Sequence, residues 1–153
     1  MTDTEIADRI AIADLINRYC DAINRGDWDA HQACFAPDAV WEVGPPANLR
    51  LETAAGIRQG TQAALSSIEF IIQKICSAVV ELESASTASA RVLLEEVGRG
   101  PDRQMFQYGL YRDRLVTIDG TWFFQSRRFE FIYATTPVLD GALVTPRSEL
   151  AKR

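Results

Sequence analysis

A chain of 153 residues with 47% hydrophobic and 24% charged side chains has the composition of one globular domain, 1–153, with a sizeable core. Its formal charge of −5, with no basic run beyond Arg127-Arg128, excludes the positive face that nucleic-acid binding needs. No apolar run reaches the roughly 18–20 residues of a membrane span, and the polar start Met-Thr-Asp-Thr-Glu-Ile does not read as a secretory leader. Cys20, Cys34 and Cys76 are odd in number and lack metal-type spacing, which points to reduced thiols and a cytoplasmic location.

Thr2-Asp3-Thr4-Glu5 is a capping box ahead of a helix expected to reach about Arg25. Ile12, Leu15, Ile16, Tyr19, Ala22 and Ile23 recur at helical spacing and make one apolar stripe, with Arg9, Asp14, Arg18 and Asp21 opposite. Gly26 permits a left-handed helix end, and Asp27 caps a short second helix that Trp28 and Phe35 anchor and Pro37-Asp38 ends. Ala39 to Val43 alternates as a half-buried strand, and Gly44-Pro45-Pro46-Ala47-Asn48 is a turn whose prolines stop it. Gly60-Thr61 is expected to open a third helix running to about Glu69. Beyond it the text turns to strand. Ile71–Glu83, Ala88–Val97, Met105–Val116 and Thr121–Tyr133 are β runs separated by turns at 84–87 and 98–102 and by the tight turn at Asp119-Gly120. The tail from Thr135, with two prolines and a glycine, is expected to wrap over the end of the domain.

Helices first and antiparallel strands afterwards indicate an α+β fold. The stretch Tyr19 to Val43, the run Tyr108-Gly-Leu-Tyr-Arg-Asp-Arg-Leu115, Asp-Gly-Thr-Trp122 and Ser-Arg-Arg-Phe129 together resemble the SnoaL-like, polyketide-cyclase-type branch of the NTF2-like superfamily, related to scytalone dehydratase and hexachlorocyclohexane dehydrochlorinase. The resemblance implies an NTF2-like/cystatin-like cone, with N-terminal helices packed on a strongly curved mixed or antiparallel β-sheet and a ligand cavity between them. It also implies a homodimer through the outer sheet face, with Phe124, Arg128 and Glu130 as candidate contacts.

By the same resemblance, the cavity is lined from Tyr19, Asn24, Trp41, Ile71, Gln73, Leu94, Glu96, Gln107, Tyr111, Arg127, Phe129 and Phe131. The relatives' Asp–His dyad falls on Asn24 and Gln73, neither of which titrates, so that proton-abstraction machinery is absent. The ketosteroid isomerase base falls on Val43, while its oxyanion-stabilising tyrosine matches Tyr19, a residue that equally fits simple core packing.

Strand parity supplies the rest. Glu96 follows Val92 and Leu94 on one face and should point inward, with Glu95 outward; there burial would raise its pKa toward a useful range, unless it is merely paired with Arg127. Arg127 is the inward member of its pair and suits a carboxylate, phenolate or enolate. Asp113 shares parity with Tyr111 and is expected as an exposed hairpin carboxylate, or as an acid near the mouth. His31, the one histidine, is expected at the surface or partly packed, and Trp41, Phe123, Phe129 and Phe131 as aromatic wall.

No phosphate loop, dinucleotide fingerprint, metal cluster or nucleophile–His–acid set is present, so no cofactor and no metal are expected. Two functions remain open. One is a cofactor-independent lyase or isomerase acting on a small hydrophobic cyclic or aromatic molecule. In it Glu96 transfers protons, Tyr19, Tyr111 and Arg127 stabilise negative charge, and Asn24 and Gln73 orient the substrate. The other is a non-catalytic small-molecule-binding or accessory dimer.

Overall fold

The computed structural model describes residues 1–152. Helix α1 (Asp3–Arg25) begins with the reciprocal capping box of Thr2 and Glu5 and ends at Gly26, whose φ of 71° lets its N–H close back on the last turn. The Asp27 side chain accepts from the Ala30 N–H and caps α2 (Trp28–Gln32). Strands β1 (Phe35–Val43), β2 (Leu49–Glu52), β3 (Phe70–Leu82), β4 (Thr87–Gly100), β5 (Arg103–Ile118) and β6 (Thr121–Thr135) form one six-stranded sheet, with α3 (Ala54–Ala64) inserted after β2 and a short α4 (Arg147–Leu150) near the end.

The sheet order is β2-β1-β6-β5-β4-β3, with only β1 and β6 parallel. The result is an α+β fold with an open, mixed sheet. The apolar stripe of α1 packs on β3 and β6, so that Ile12, Leu15, Ile16, Tyr19 and Ile23 meet Val92, Leu94, Leu115 and Phe124 in one core. Register shifts at Ile75/Ser77, Tyr108/Gly109 and Arg114/Leu115 bend the long strands around that helix.

Four boundaries differ from the sequence expectation. Strand β1 starts at Phe35, not Ala39, because Pro37 lies within a register irregularity where no ladder N–H is required. Leu49–Glu52 returns as a strand antiparallel to β1, so the proline turn makes a hairpin instead of ending the sheet. Helix α3 spans Ala54–Ala64 rather than starting at Gly60, since Thr53 caps it through the Gly56 N–H. Turn 98–102 shrinks to Pro101-Asp102, and β4 and β5 pair through Gly100 and Arg103.

The tail does wrap over one end. Arg99 donates to the Leu139 and Gly141 carbonyls at 2.7 Å each, Gln104 accepts from the Leu139 N–H, and Arg147 reaches the Ile23 carbonyl. Among the described residues no helix is long and apolar enough to cross a membrane.

Candidate active site

Side chains of one parity on β4 and β5 face α1, which brings Glu96 opposite Gln107 in the ladder and Gln73 of β3 opposite Glu96. Both glutamines donate to the same carboxylate: Gln73 Nε2 to Glu96 Oε2 at 2.7 Å, and Gln107 Nε2 to Oε1 at 2.6 Å. Glu96 is 7% exposed. Burial raises its pKa above the ordinary glutamate value, against the lowering pull of the Gln73 and Gln107 amides and the Arg103 charge.

Beside this carboxylate the hydroxyls of Tyr19 (α1) and Tyr111 (β5) lie 3.2 Å apart, with Gln73 Nε2 3.5 Å from the Tyr111 hydroxyl. Burial pushes both phenols well above their usual range, and the nearby Arg127 charge partly offsets that. They are therefore hydrogen-bond donors, not bases, at any ordinary pH.

Glu96, Gln73, Gln107, Tyr19 and Tyr111 line a cavity of about 270 Å³. Its walls include Trp41, Ile71, Met105, Phe129 and Phe131, and Arg103 also lines it. Three lining residues carry buried polar atoms without a hydrogen-bond partner: Trp41 Nε1, Thr61 Oγ1 and Gln73 Oε1. Buried polar atoms elsewhere, such as both His31 nitrogens, also lack partners, but these three border open space where a ligand or water can meet them. A larger hollow of about 410 Å³ lies under the tail, but none of its lining residues is a buried carboxylate.

Three residues expected in the cavity wall sit elsewhere. Asn24 lines the hollow under the tail, and its amide is tied in both directions to the Gln73 backbone: Nδ2 donates to the carbonyl at 3.0 Å, and Oδ1 accepts the N–H at 2.7 Å. Leu94 is fully buried in the core. Arg127 lies beneath the tyrosines, its guanidinium 4.1 Å from the Tyr19 ring centre, 3.8 Å from Tyr111 and 4.1 Å from Phe124. It pairs with Asp113, not with Glu96.

Four expectations about individual side chains are corrected. Asp113 is buried rather than exposed, because the Arg127 guanidinium meets it at two points. His31 is fully buried among Tyr19, Trp28 and Phe35, and neither ring nitrogen has a partner. Phe124 belongs to the core and Phe123 lines a groove outside the cavity, since the register shift between Arg114 and Leu115 reverses the parity of β6 around Gln125. Arg128 and Glu130 do lie on the outer face, in ion pairs with Glu42 and Arg112.

Arg103, Thr61, Leu49 and Leu65 were not anticipated as lining residues. Arg103 could have been found by extending the Gln107–Met105 parity by one step; Leu49 and Leu65 depend on a hairpin and helix end that carry no local signal. Among the described residues no three His, Cys, Asp or Glu side chains are grouped to hold a metal ion.

Comparison with known proteins accords with this fold. The model of the SnoaL-like domain family matches residues 4–128. No curated protein sequence matches the chain. A hexachlorocyclohexane dehydrochlorinase of type 2 superposes with a TM-score of 0.84 at 16% identity, covering 92% of this chain and 97% of that one. A candidate scytalone dehydratase of Novosphingobium aromaticivorans gives 0.81 at 19% identity, covering 93% and 95%. A candidate aromatic ring hydroxylase of the same species gives 0.79 at 24%, covering 86% and 94%. At these identities the structures share the fold. The family match spans most of the chain, which therefore belongs to the SnoaL-like domain family.

Proposed function

We propose that the protein is a cofactor-independent lyase or isomerase that acts on a small ring-shaped molecule within the 270 Å³ cavity. One observation carries this reading: a single buried carboxylate, Glu96, is held at both oxygens by neutral amides inside an otherwise largely apolar hollow, next to two paired phenols. A buried acid held by neutral amides, with no direct ion pair among the described residues, is costly to keep, and the cost accords with a proton-transfer role. A 150 Å³ apolar cavity holds benzene, so about 270 Å³ suits a substituted ring or two fused rings.

The chemistry follows from the groups present. The Glu96 carboxylate removes a proton from carbon next to a substrate carbonyl. The electron pair moves onto the carbonyl oxygen, which accepts hydrogen bonds from Tyr19 or Tyr111 as it becomes an enolate. Return of the proton from Glu96 to a different carbon shifts the double bond. Loss of a group from the adjacent carbon completes an elimination. Arg127 touches no substrate in this scheme; its positive charge behind the two rings makes their hydroxyls better donors. Gln73 and Gln107 fix the carboxylate.

The test requires no knowledge of the natural substrate. With 2-tetralone in deuterated water, the protein should exchange hydrogen for deuterium next to the carbonyl, followed by mass spectrometry, and Glu96→Gln should abolish the exchange while leaving binding intact. Binding without exchange in the unmodified protein would leave a ligand carrier, the reading favoured by the two amides that already occupy the carboxylate. The same proposal includes a dimer through the outer sheet face, where Ile72, Val79, Ile132 and Tyr133 are exposed, and a reducing, cytoplasmic location suited to three free cysteines.

A further inference from the structure

The inward row of β5 runs from the rim to the depth of the cavity as Arg103, Met105, Gln107 and Tyr111. At 3.4 Å per residue, Arg103 starts about 14 Å along the strand from the Gln107 position that holds Glu96. It follows the Pro101-Asp102 turn directly and is exposed, so its position is the entrance.

Arg103 also differs from the other arginines. Among the described residues every other one is engaged: Arg9 with the Val80 carbonyl, Arg147 with the Ile23 carbonyl, and the rest with carboxylates. Among the described residues Arg103 has neither a hydrogen bond nor an ion pair. An unpaired surface arginine is ordinarily just hydrated. This one lines the cavity.

We infer that Arg103 recruits an anionic substituent of the ligand, so that the cavity's substrate class is a ring bearing a carboxylate rather than a neutral ring. The inference rests on the cavity being a ring-ligand site, as proposed above. The guanidinium offers a planar, two-point match to a carboxylate at the rim, while Met105, Phe129 and Phe131 take the ring body. The orphaned Trp41 and Thr61 groups remain for a further oxygen on the ring. Charge favours the same conclusion. A chain of net charge −5 repels an approaching anion at long range, and a cation at the entrance supplies the local field that admits one. Glu96, deeper in, keeps its own amide partners and does not need Arg103 as a permanent counter-ion.

The probes are 2-naphthoate and its neutral, nearly isosteric amide, 2-naphthamide, titrated by calorimetry and by quenching of tryptophan fluorescence at low ionic strength and mildly alkaline pH. The unmodified protein should bind naphthoate up to about fivefold more tightly than naphthamide, the scale of one exposed ion pair. With an unaltered thermal unfolding profile as the control for folding, Arg103→Gln should bind the two probes with equal affinity and so lose the preference for naphthoate. Arg103→Lys should retain part of it, and added salt should erode it. Equal affinities in the unmodified protein, or a preference that survives Arg103→Gln, would overturn the carboxylate assignment and leave the ring site standing. If neither probe bound, both readings would fall together.

Discussion

Asp113 and Arg127 face each other across the β5–β6 ladder and bond at two points, Nε to Oδ1 at 3.0 Å and Nη2 to Oδ2 at 3.1 Å, with neither side chain exposed. Burial pushes the Asp113 carboxyl up to about 6 against the pull of Arg127, whereas Asp113 helps to hold Arg127 above its usual value. Two direct bonds to a permanently charged guanidinium favour the ionised pair at neutral pH. The pair is therefore the foundation under the two tyrosines.

Removing one partner should be far worse than removing both. Asp113→Ala leaves a buried guanidinium unmatched and should cost about 3–5 kcal/mol in urea unfolding. The double change Asp113→Leu with Arg127→Met should recover most of that loss. Equal losses in the single and double variants would show that the charges themselves matter little.

Glu96 makes the fold less stable as it ionises. Its folded pKa lies above the ordinary 4.5, so its contribution is fully present below 4.5 and is lost as pH rises through the folded value. Glu96→Gln should accordingly be more stable than the parent protein at pH 8, by about 1.4 kcal/mol for each unit of the shift, with the gap closing toward pH 4. The neighbouring amides can turn an oxygen toward the new NH₂. Thermal unfolding across that pH range is the measurement, and a gap independent of pH would contradict it.

His31 should set part of the acid limb. Burial, with help from the Arg127 and Arg58 charges, lowers its pKa to about 4 from an ordinary 6.5. The unfolded chain then binds a proton that the folded chain refuses, and stability falls as pH drops from 6.5 toward 4, by about 3 kcal/mol at most. Both ring nitrogens lack partners, so His31→Phe removes no hydrogen bond. That variant should show a flatter stability profile between pH 6.5 and 4 in chemical denaturation.

Gly109 gives Phe129 its place. A methyl group added there would overlap the Phe129 ring, which makes edge-to-face contacts with Tyr111 and Phe131 on the cavity wall. Gly109→Ala should destabilise by about 1–3 kcal/mol and weaken binding of a ring ligand by pushing Phe129 into its space. Loss of stability without any change in ring-ligand affinity would place the strain outside the cavity.

Much of the architecture was legible because its signals are local. Thr2 and Glu5 announce one end of α1, Gly26 the other, and Asp119-Gly120 the β5–β6 turn, where both residues take positive φ. Parity alone put Glu96 indoors and Glu95 outside, where it meets Lys74 and Tyr108. What parity cannot register is an inserted residue: the irregularity at Gln125 exchanged Phe123 and Phe124, and Pro37 hid the start of β1. Gly60 read as a helix opener, yet it sits inside α3 where the Leu51 side chain presses close. Asp113 meets Arg127 only through the β5–β6 register, and His31 is closed in only when Tyr19 of α1 joins its neighbours Trp28 and Phe35, so neither burial shows in the local sequence.

Asn24 acts as a fastener between α1 and β3, imitating one more rung of a ladder by gripping the Gln73 main chain at both its N–H and its carbonyl. An aspartate in that place could take the N–H but would have nothing to offer the carbonyl. Asn24→Asp would thus leave the Gln73 carbonyl without its side-chain donor and loosen the join between α1 and β3 by one of its two bonds.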